Sequence, residues 1–395
     1  MRLHLCGCMR GTVYSIGGLV VWLASGSALA AQTHTPTLSF SANAGVRSTA
    51  MPRGIADRFL FGGFIDSTEV TQWIDRTHEA PGGWMRAGGI ARAELEFDSG
   101  KRWAVRANGW SIVDVQATAG AVEAAMRGTA AGRALDLGGT AARGIALNSV
   151  GVVVRNPWGL DACRLEVAAV QRWAYGAAVV EEGVVGLSAA ADTLTARLLG
   201  YGGVDARDAW GLAVGFEWTK AGDRSVVHVR VRNVGAVLAP PGRVEWSADT
   251  ALVTSGFSLE ELRSEGFAQR WYRADTAKWR LEALPAGAEL SGYTMWARRM
   301  WAMGSVWWGD WMPTPQAAVS VGRTGNRWSV GMGVGAGGWG GWRTRAGYRG
   351  LVTGSYAMKS GLTIGVLAED VRGWWRADGA GRGVQVVAVV PVGGR

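Results

Sequence analysis

The chain has 395 residues, 60 of them glycine and 22 tryptophan, with a formal charge of +9 at pH 7. Apolar residues reach 48% and charged residues only 18%, which excludes a disordered chain, and neither a collagen repeat nor a coiled-coil heptad is present. The cationic excess is nearly all arginine, Lys occurring only as Lys101, Lys220, Lys278 and Lys359; the arginines stand singly among apolar residues, so nucleic acid is not an expected partner.

The amino terminus reads as an export signal. Arg2 and Arg10 precede a short apolar stretch, Thr12 to Ala24, and Ala28-Leu29-Ala30 supplies the small-x-small pattern of a cleavage site. Residues 1–30 are therefore expected to leave as a Sec signal peptide, and the loss of Arg2 and Arg10 lowers the charge from +9 to +7. Cys6 and Cys8 leave with it. Cys163 then remains alone, with no partner for a disulfide and no C-x-x-C site.

Downstream, no apolar run approaches the ~20 residues of a spanning helix. Residues 31–57 contain Pro36, Pro52 and scattered polar residues, and are expected to fold inward as a lumen plug. From residue 58 to 395 the pattern is period-two alternation. In 91–98, Ala91, Ala93, Leu95 and Phe97 oppose Arg92, Glu94, Glu96 and Asp98. In 102–117 the alternation is broken by Trp110 and Ile112. Residues 118–134 are Ala-rich and lack alternation, predicting a short helix or helical hairpin. In 210–218, Trp210, Leu212, Val214, Phe216 and Trp218 oppose Gly211, Ala213, Gly215 and Glu217. In 226–232, Val227, Val229 and Val231 oppose His228, Arg230 and Arg232. Ser258 as N-cap with Glu261 three residues on predicts a small amphipathic helix over 257–268. Turns are expected at 98–100, 220–224, 324–326 and 358–361, where Gly or Asn permits tight reversal.

Strands joined by short turns make a sandwich or a barrel, and the two differ in which face is apolar. Trp210 and Trp218 are eight residues apart on one bulky face. At a rise of ~3.3 Å and a tilt near 40° they project to roughly 20 Å, close to the apolar band of an outer-membrane barrel between its aromatic girdles. The predicted fold is thus all-β, a transmembrane antiparallel up-and-down barrel of about 14 strands with one or two short helices. Trp210, Trp218, Trp307, Trp308, Trp339 and Trp342 are the expected membrane-interface aromatics, an indole being apolar with a polar N–H. His228, Arg230, Arg232, Gly331, Gly333 and Gly335 are expected to face the lumen.

The run Gly333 to Gly338 matches G-x-G-x-x-G, but it lies in an alternating strand without the strand-to-helix turn a dinucleotide needs. Its bare glycine face would leave room for a plug, a bound apolar molecule or large side chains from facing strands. The mature chain has only His34, His78 and His228, and no motif pairs a nucleophile with a base. No catalytic residue, metal or cofactor is expected.

The order of these features resembles the FadL-like outer-membrane barrels. The likeness rests on Arg58-Phe59-Leu60-Phe61-Gly62-Gly63-Phe64-Ile65-Asp66, the paired strands to 117, the helical insert, Val229 to Gly235, and Leu284 to Tyr293 opening the last strands. The Arg-, Val- and Trp-rich style is similar to spirochaetal members. The resemblance implies a 14-stranded barrel in the outer membrane of a Gram-negative-type cell, passing hydrophobic solutes such as long-chain fatty acids. Its partners would be outer-membrane lipid and hydrophobic small molecules. The chain departs from many such barrels in ending Val392-Gly393-Gly394-Arg395, without a terminal aromatic. Two other readings are a non-transporting barrel with a structural or secretion-associated role, and a barrel-embedded lipid-modifying enzyme.

Overall fold

The computed structural model describes residues 37–48, 55, 58, 66–79, 84–98, 102–129, 131–157, 162–191, 193–205, 207–255, 273–274, 278–297, 299–309, 315–337, 348–358, 360, 362–369, 371 and 381–391. In chain order these form β1 (Thr37–Ser48), α1 (Ser67–Glu79), β2 (Trp84–Asp98), β3 (Trp103–Thr118), α2 (Ala119–Arg127), β4 (Arg133–Asp136), β5 (Thr140–Arg155), β6 (Cys163–Leu187), β7 (Thr193–Val204), β8 (Ala209–Ala221), β9 (Ser225–Ala239) and β10 (Val244–Ser255). There follow β11 (Arg273–Ala274), β12 (Arg280–Ala283), β13 (Gly287–Ala297), β14 (Met300–Gly309), β15 (Gln316–Thr324), β16 (Trp328–Gly337), β17 (Tyr348–Ala357), β18 (Thr363–Glu369) and β19 (Gly381–Pro391). All belong to one antiparallel sheet of nineteen strands, more than the fourteen expected.

The surplus has a simple origin. Pairings run β1–β2–β3–β5–β6–β8–β9–β13–β14–β15–β16–β17–β18–β19, and β19 pairs back onto β1 with Thr37 opposite Pro391. Fourteen strands thus form a ring of pairings, and β4, β7, β10, β11 and β12 are additions to it. β6 is 25 residues long. Its first part pairs with β8, and its second part runs on past the ring to pair with β4 and β7, with β10 beside β7. Residues 37–48, expected within a plug, are instead the wall strand that joins β2 to β19. Alternation along Leu38 to Val46 suits a wall better than an inward fold, because a strand satisfies its backbone polar groups from both neighbours.

The ring has two unlike rims. Short turns join β2–β3, β8–β9, β13–β14, β15–β16 and β17–β18 at one rim, where β1 begins and β19 ends. Long connections lie at the other, among them those carrying α1 and α2. α1 was not legible in the alternation. Asp66 caps it, accepting the Thr68 N–H at 2.7 Å, which holds the carboxyl below its ordinary range. Val70, Trp73, Ile74 and Thr77, at helical spacing, are buried. The Ala-rich segment yields α2 over 119–127 only, capped by Thr118 and ended at Gly128, whose φ is 75°; β4 follows. The helix expected over 257–268 lies outside the described residues, as do Trp339 and Trp342.

Candidate functional site

Contacts across the ring show which face is inside. Glu94 on β2 and Arg230 on β9 are five strands apart, roughly 24 Å along the wall at ~4.8 Å per strand. Their side chains nevertheless meet at 2.8 Å. Arg92 on β2 and Trp307 on β14 stand halfway round the ring from each other, yet the Arg92 Cζ lies 6.0 Å from the Trp307 ring centroid. Such pairs can meet only across the concave side, so the face bearing Arg92, Glu94 and Arg230 is the lumen.

Near the turn rim the lumen holds an ionic network centred on Arg106, which is 2% exposed. Its guanidinium lies 3.3 Å from Glu94, 2.8 Å from Glu96, 2.7 Å from Glu166 and 2.9 Å from Glu217. Arg230 reaches Glu94 and Glu217 at 2.8 and 2.9 Å, Arg164 pairs with Glu96 and Glu217, and Arg155 stands 3.7 Å from Glu96. Four carboxylates thus face four guanidiniums with no net charge. The space left beside them holds roughly one water. A buried carboxylate set is tolerable only with such complete pairing.

Beyond the network, away from the turn rim, the lumen face of β2, β3, β5 and β6 becomes apolar. Ile90, Trp110, Ile112, Ile145, Leu147 and Val170 form a buried cluster with Tyr175 and Trp307 against it. Trp110 and Ile112, which broke the alternation of their strand, belong to this band, on the same face as Arg106. Above Trp110 at 5.7 Å lies Arg92, which is also 6.0 Å from the Trp307 ring centroid, as is Arg232. A second ionic knot follows toward the long connections, where Arg172 and Arg243 flank the Tyr175 ring at 4.9 and 4.5 Å and pair with Asp205 and Glu282.

On β15 and β16 the lumen face carries small residues, Ala318, Ser320 and Gly322 opposite Gly335, Gly333 and Gly331. Gly331, Gly333 and Gly335 face inward, and no chain segment fills the space above them among the described residues. Trp301 lies there. A Cβ on Gly331 would stand 2.6 Å from its indole, and one on Gly322 would stand 2.4 Å from it. Tyr293 stacks on the same indole at 6.1 Å. At Gly333 the neighbour is backbone: a Cβ would come within 2.2 Å of the Val319 carbonyl oxygen. The bare face therefore accommodates a wall tryptophan and a close strand approach.

The remaining expected residues divide as follows. His228, Arg230 and Arg232 are on the lumen face, Arg230 inside the ionic network. His228 stands opposite Thr219 and Ser291 in the strand register, and among the described residues it makes no hydrogen bond to either hydroxyl. Trp210 and Trp308 are exposed on the outer face near the long connections, and Trp218 is on the outer face near the turns. Trp307, expected beside them at the membrane interface, faces the lumen instead; it is one residue from Trp308, and alternation sends the two indoles to opposite sides. The hub Arg106 is one of several polar residues along its strand, and nothing in the sequence sets it apart.

On the outer face, exposed apolar side chains recur from β2 to β18: Val152, Leu212, Val214, Leu290, Val319 and Met332 are representative. Bulky aromatics bracket them. Phe97, Trp103, Trp296, Trp328 and Tyr356 are exposed beside the turn rim; Trp173, Trp210 and Trp308 are exposed toward the other.

No protein-family model matches the chain, and neither does any curated protein. Among solved structures, a FadL homologue from Pseudomonas aeruginosa is similar with a TM-score of 0.48 and 10% identity, over 93% of this chain and 92% of that one. The toluene transporter TodX of Pseudomonas putida gives 0.40 and 9%, over 95% of each chain. The translocator domain of the autotransporter NalP from Neisseria meningitidis gives 0.36 and 9%, over 98% and 96%. With every score below 0.5, these likenesses carry no part of the functional reading.

Proposed function

We propose that the chain is an outer-membrane β-barrel that passes small hydrophobic solutes. The observation that carries this is the outer face: an apolar belt on a ring of antiparallel strands, bracketed by aromatics at both rims. A water-soluble protein rarely exposes so continuous an apolar surface, whereas lipid requires it. Closure of the pairings matters for the same reason, since hydrocarbon cannot satisfy an unpaired strand edge. Short turns at one rim and long connections at the other support a periplasmic side for the turn rim.

The lumen supports a hydrophobic cargo. A channel for ions or sugars is lined by polar groups throughout. Here Ile90, Ile112, Ile145 and Leu147 line an apolar band between two ionic knots. An apolar solute entering that band leaves water without losing hydrogen bonds, while a sugar would lose several there. The aromatic and arginine pair at Trp307 and Arg92 then forms the narrowing that a solute must displace.

A second reading, a barrel without transport, is favoured by the completeness of the Arg106 network, which occupies the bore near the turn rim. The two separate in one experiment. A deletion strain and its complemented counterpart are compared for uptake of a labelled long-chain fatty acid, a monoaromatic hydrocarbon and a disaccharide. Faster uptake of the apolar compounds alone is expected. Equal uptake of none supports the second reading, and equal acceleration of all three, disaccharide included, refutes the apolar lumen. Release of fatty acid from phospholipid by the purified protein would instead revive an enzyme.

A further inference from the structure

We propose that the turn rim carries a basic collar that binds anionic phospholipid headgroups, an inference that rests on the barrel spanning a membrane. Arg102, Lys220, Arg224, Arg299, Arg323 and Arg327 are all exposed there. They stand in or beside four separate turns, those of β2–β3, β8–β9, β13–β14 and β15–β16. In sequence these cations look scattered, neighbours in this set standing as far as 118 positions apart, from Arg102 to Lys220. The ring brings them onto one rim, over more than half of its circumference.

Two observations identify the partner. First, the collar lacks counter-charge. Asp223 is the one exposed acid among the described residues of these turns, and none of the six cations forms an ion pair among the described residues. At the opposite rim two such cations do have acid partners: Arg197 stands 3.9 Å from Glu182, and Arg133 lies 2.8 Å from Glu123. Six like charges on one rim repel unless an anion layer lies against them. Second, the cations sit at headgroup depth. Lys220 follows Trp218 by two residues on the same outer face, Arg102 adjoins Trp103, and Arg327 adjoins Trp328. Tryptophan anchors at the level of the headgroups, so a cation one or two residues further out meets phosphodiester groups. A soluble acidic protein would need a flat patch, whereas these charges follow the circumference, as a lipid annulus does.

The test uses the full mature chain in vesicles of phosphatidylcholine mixed with phosphatidylglycerol, with each lipid brominated in turn. Bromine quenches nearby tryptophan, so the ratio of quenching reports which lipid occupies the annulus. The expected result is a preference for phosphatidylglycerol of about fivefold or more, the factor that one cation gives near an anionic surface. It should fall toward unity as salt is raised. Combined Arg299→Gln, Arg323→Gln and Arg327→Gln should reduce it at low salt, and Arg197→Gln should leave it unchanged. A ratio of one in the unaltered protein, or an unchanged ratio in the triple variant, overturns the collar. If the triple variant fails to assemble, the salt titration of the unaltered protein decides: a preference indifferent to salt overturns the proposal. Absence of quenching by either lipid removes the membrane reading itself, a separate outcome.

Discussion

Arg106→Met tests whether the lumen near the turn rim is dry. Methionine keeps an unbranched apolar stem and removes the guanidinium. Glu94, Glu96, Glu166 and Glu217 would then face three arginines rather than four, leaving one uncompensated charge. Removing one partner of a buried ion pair costs about 3–5 kcal/mol, because the other charge stays desolvated. Four carboxylates sharing one hub place this substitution toward the upper end of that range. The comparison is Arg197→Met: Arg197 is 72% exposed and 3.9 Å from Glu182, so its loss should cost about 0–1 kcal/mol. Adding Glu217→Gln to Arg106→Met restores neutrality and should recover at least ~1 kcal/mol, a coupling in the range for members of one network. Urea unfolding in lipid vesicles, followed by tryptophan fluorescence, measures all four proteins. If Arg106→Met costs less than about 1 kcal/mol and its effect fades with salt like that of Arg197→Met, the hub is hydrated and the occluded lumen is wrong.

Other substitutions probe the faces separately. Val214, 42% exposed on the outer face near mid-strand, should cost roughly 2–4 kcal/mol as arginine in lipid vesicles, and a cost near zero would remove it from the hydrocarbon. Gly333→Ala should destabilise by about 1–3 kcal/mol, since its Cβ meets the Val319 carbonyl, whereas Gly304→Ala, with nothing within 4 Å, should be near neutral. Equal costs for the two alanines would refute the close strand approach. Cys163, 5% exposed, should resist a water-soluble maleimide in the folded protein and react after boiling in detergent. Rapid labelling before boiling would show that the start of β6 is open.

Much of the wall was legible in the chain because strand alternation is a local property. Leu212 and Val214 on one side of β8, with Ala213 and Glu217 on the other, follow from period two alone. The same period placed Arg230, Arg232 and the glycines of β16 on the inner face. It misled at Trp307 because a cluster of indoles was read as one group, although Trp307 and Trp308 are adjacent and must diverge. Residues 37–48 misled for another reason: Pro36 and the polar neighbours suggested a segment unfit for lipid, while the strand itself had two partners waiting at the ends of the sheet.

The chain's own pattern thus dictated an antiparallel all-β sheet, its turns, and which residues share a face. It could not supply what the faces meet. Arg106 and Glu217 are 111 residues apart, and Arg230 and Glu94 are 136 apart. Their contact depends on ring closure and on the stagger between strands, neither of which leaves a mark in local composition. The same holds for Trp301 over the glycines and for the cations gathered at one rim. Periodicity acts between residues two apart, whereas these interactions act across a lumen that exists only once β19 has paired with β1.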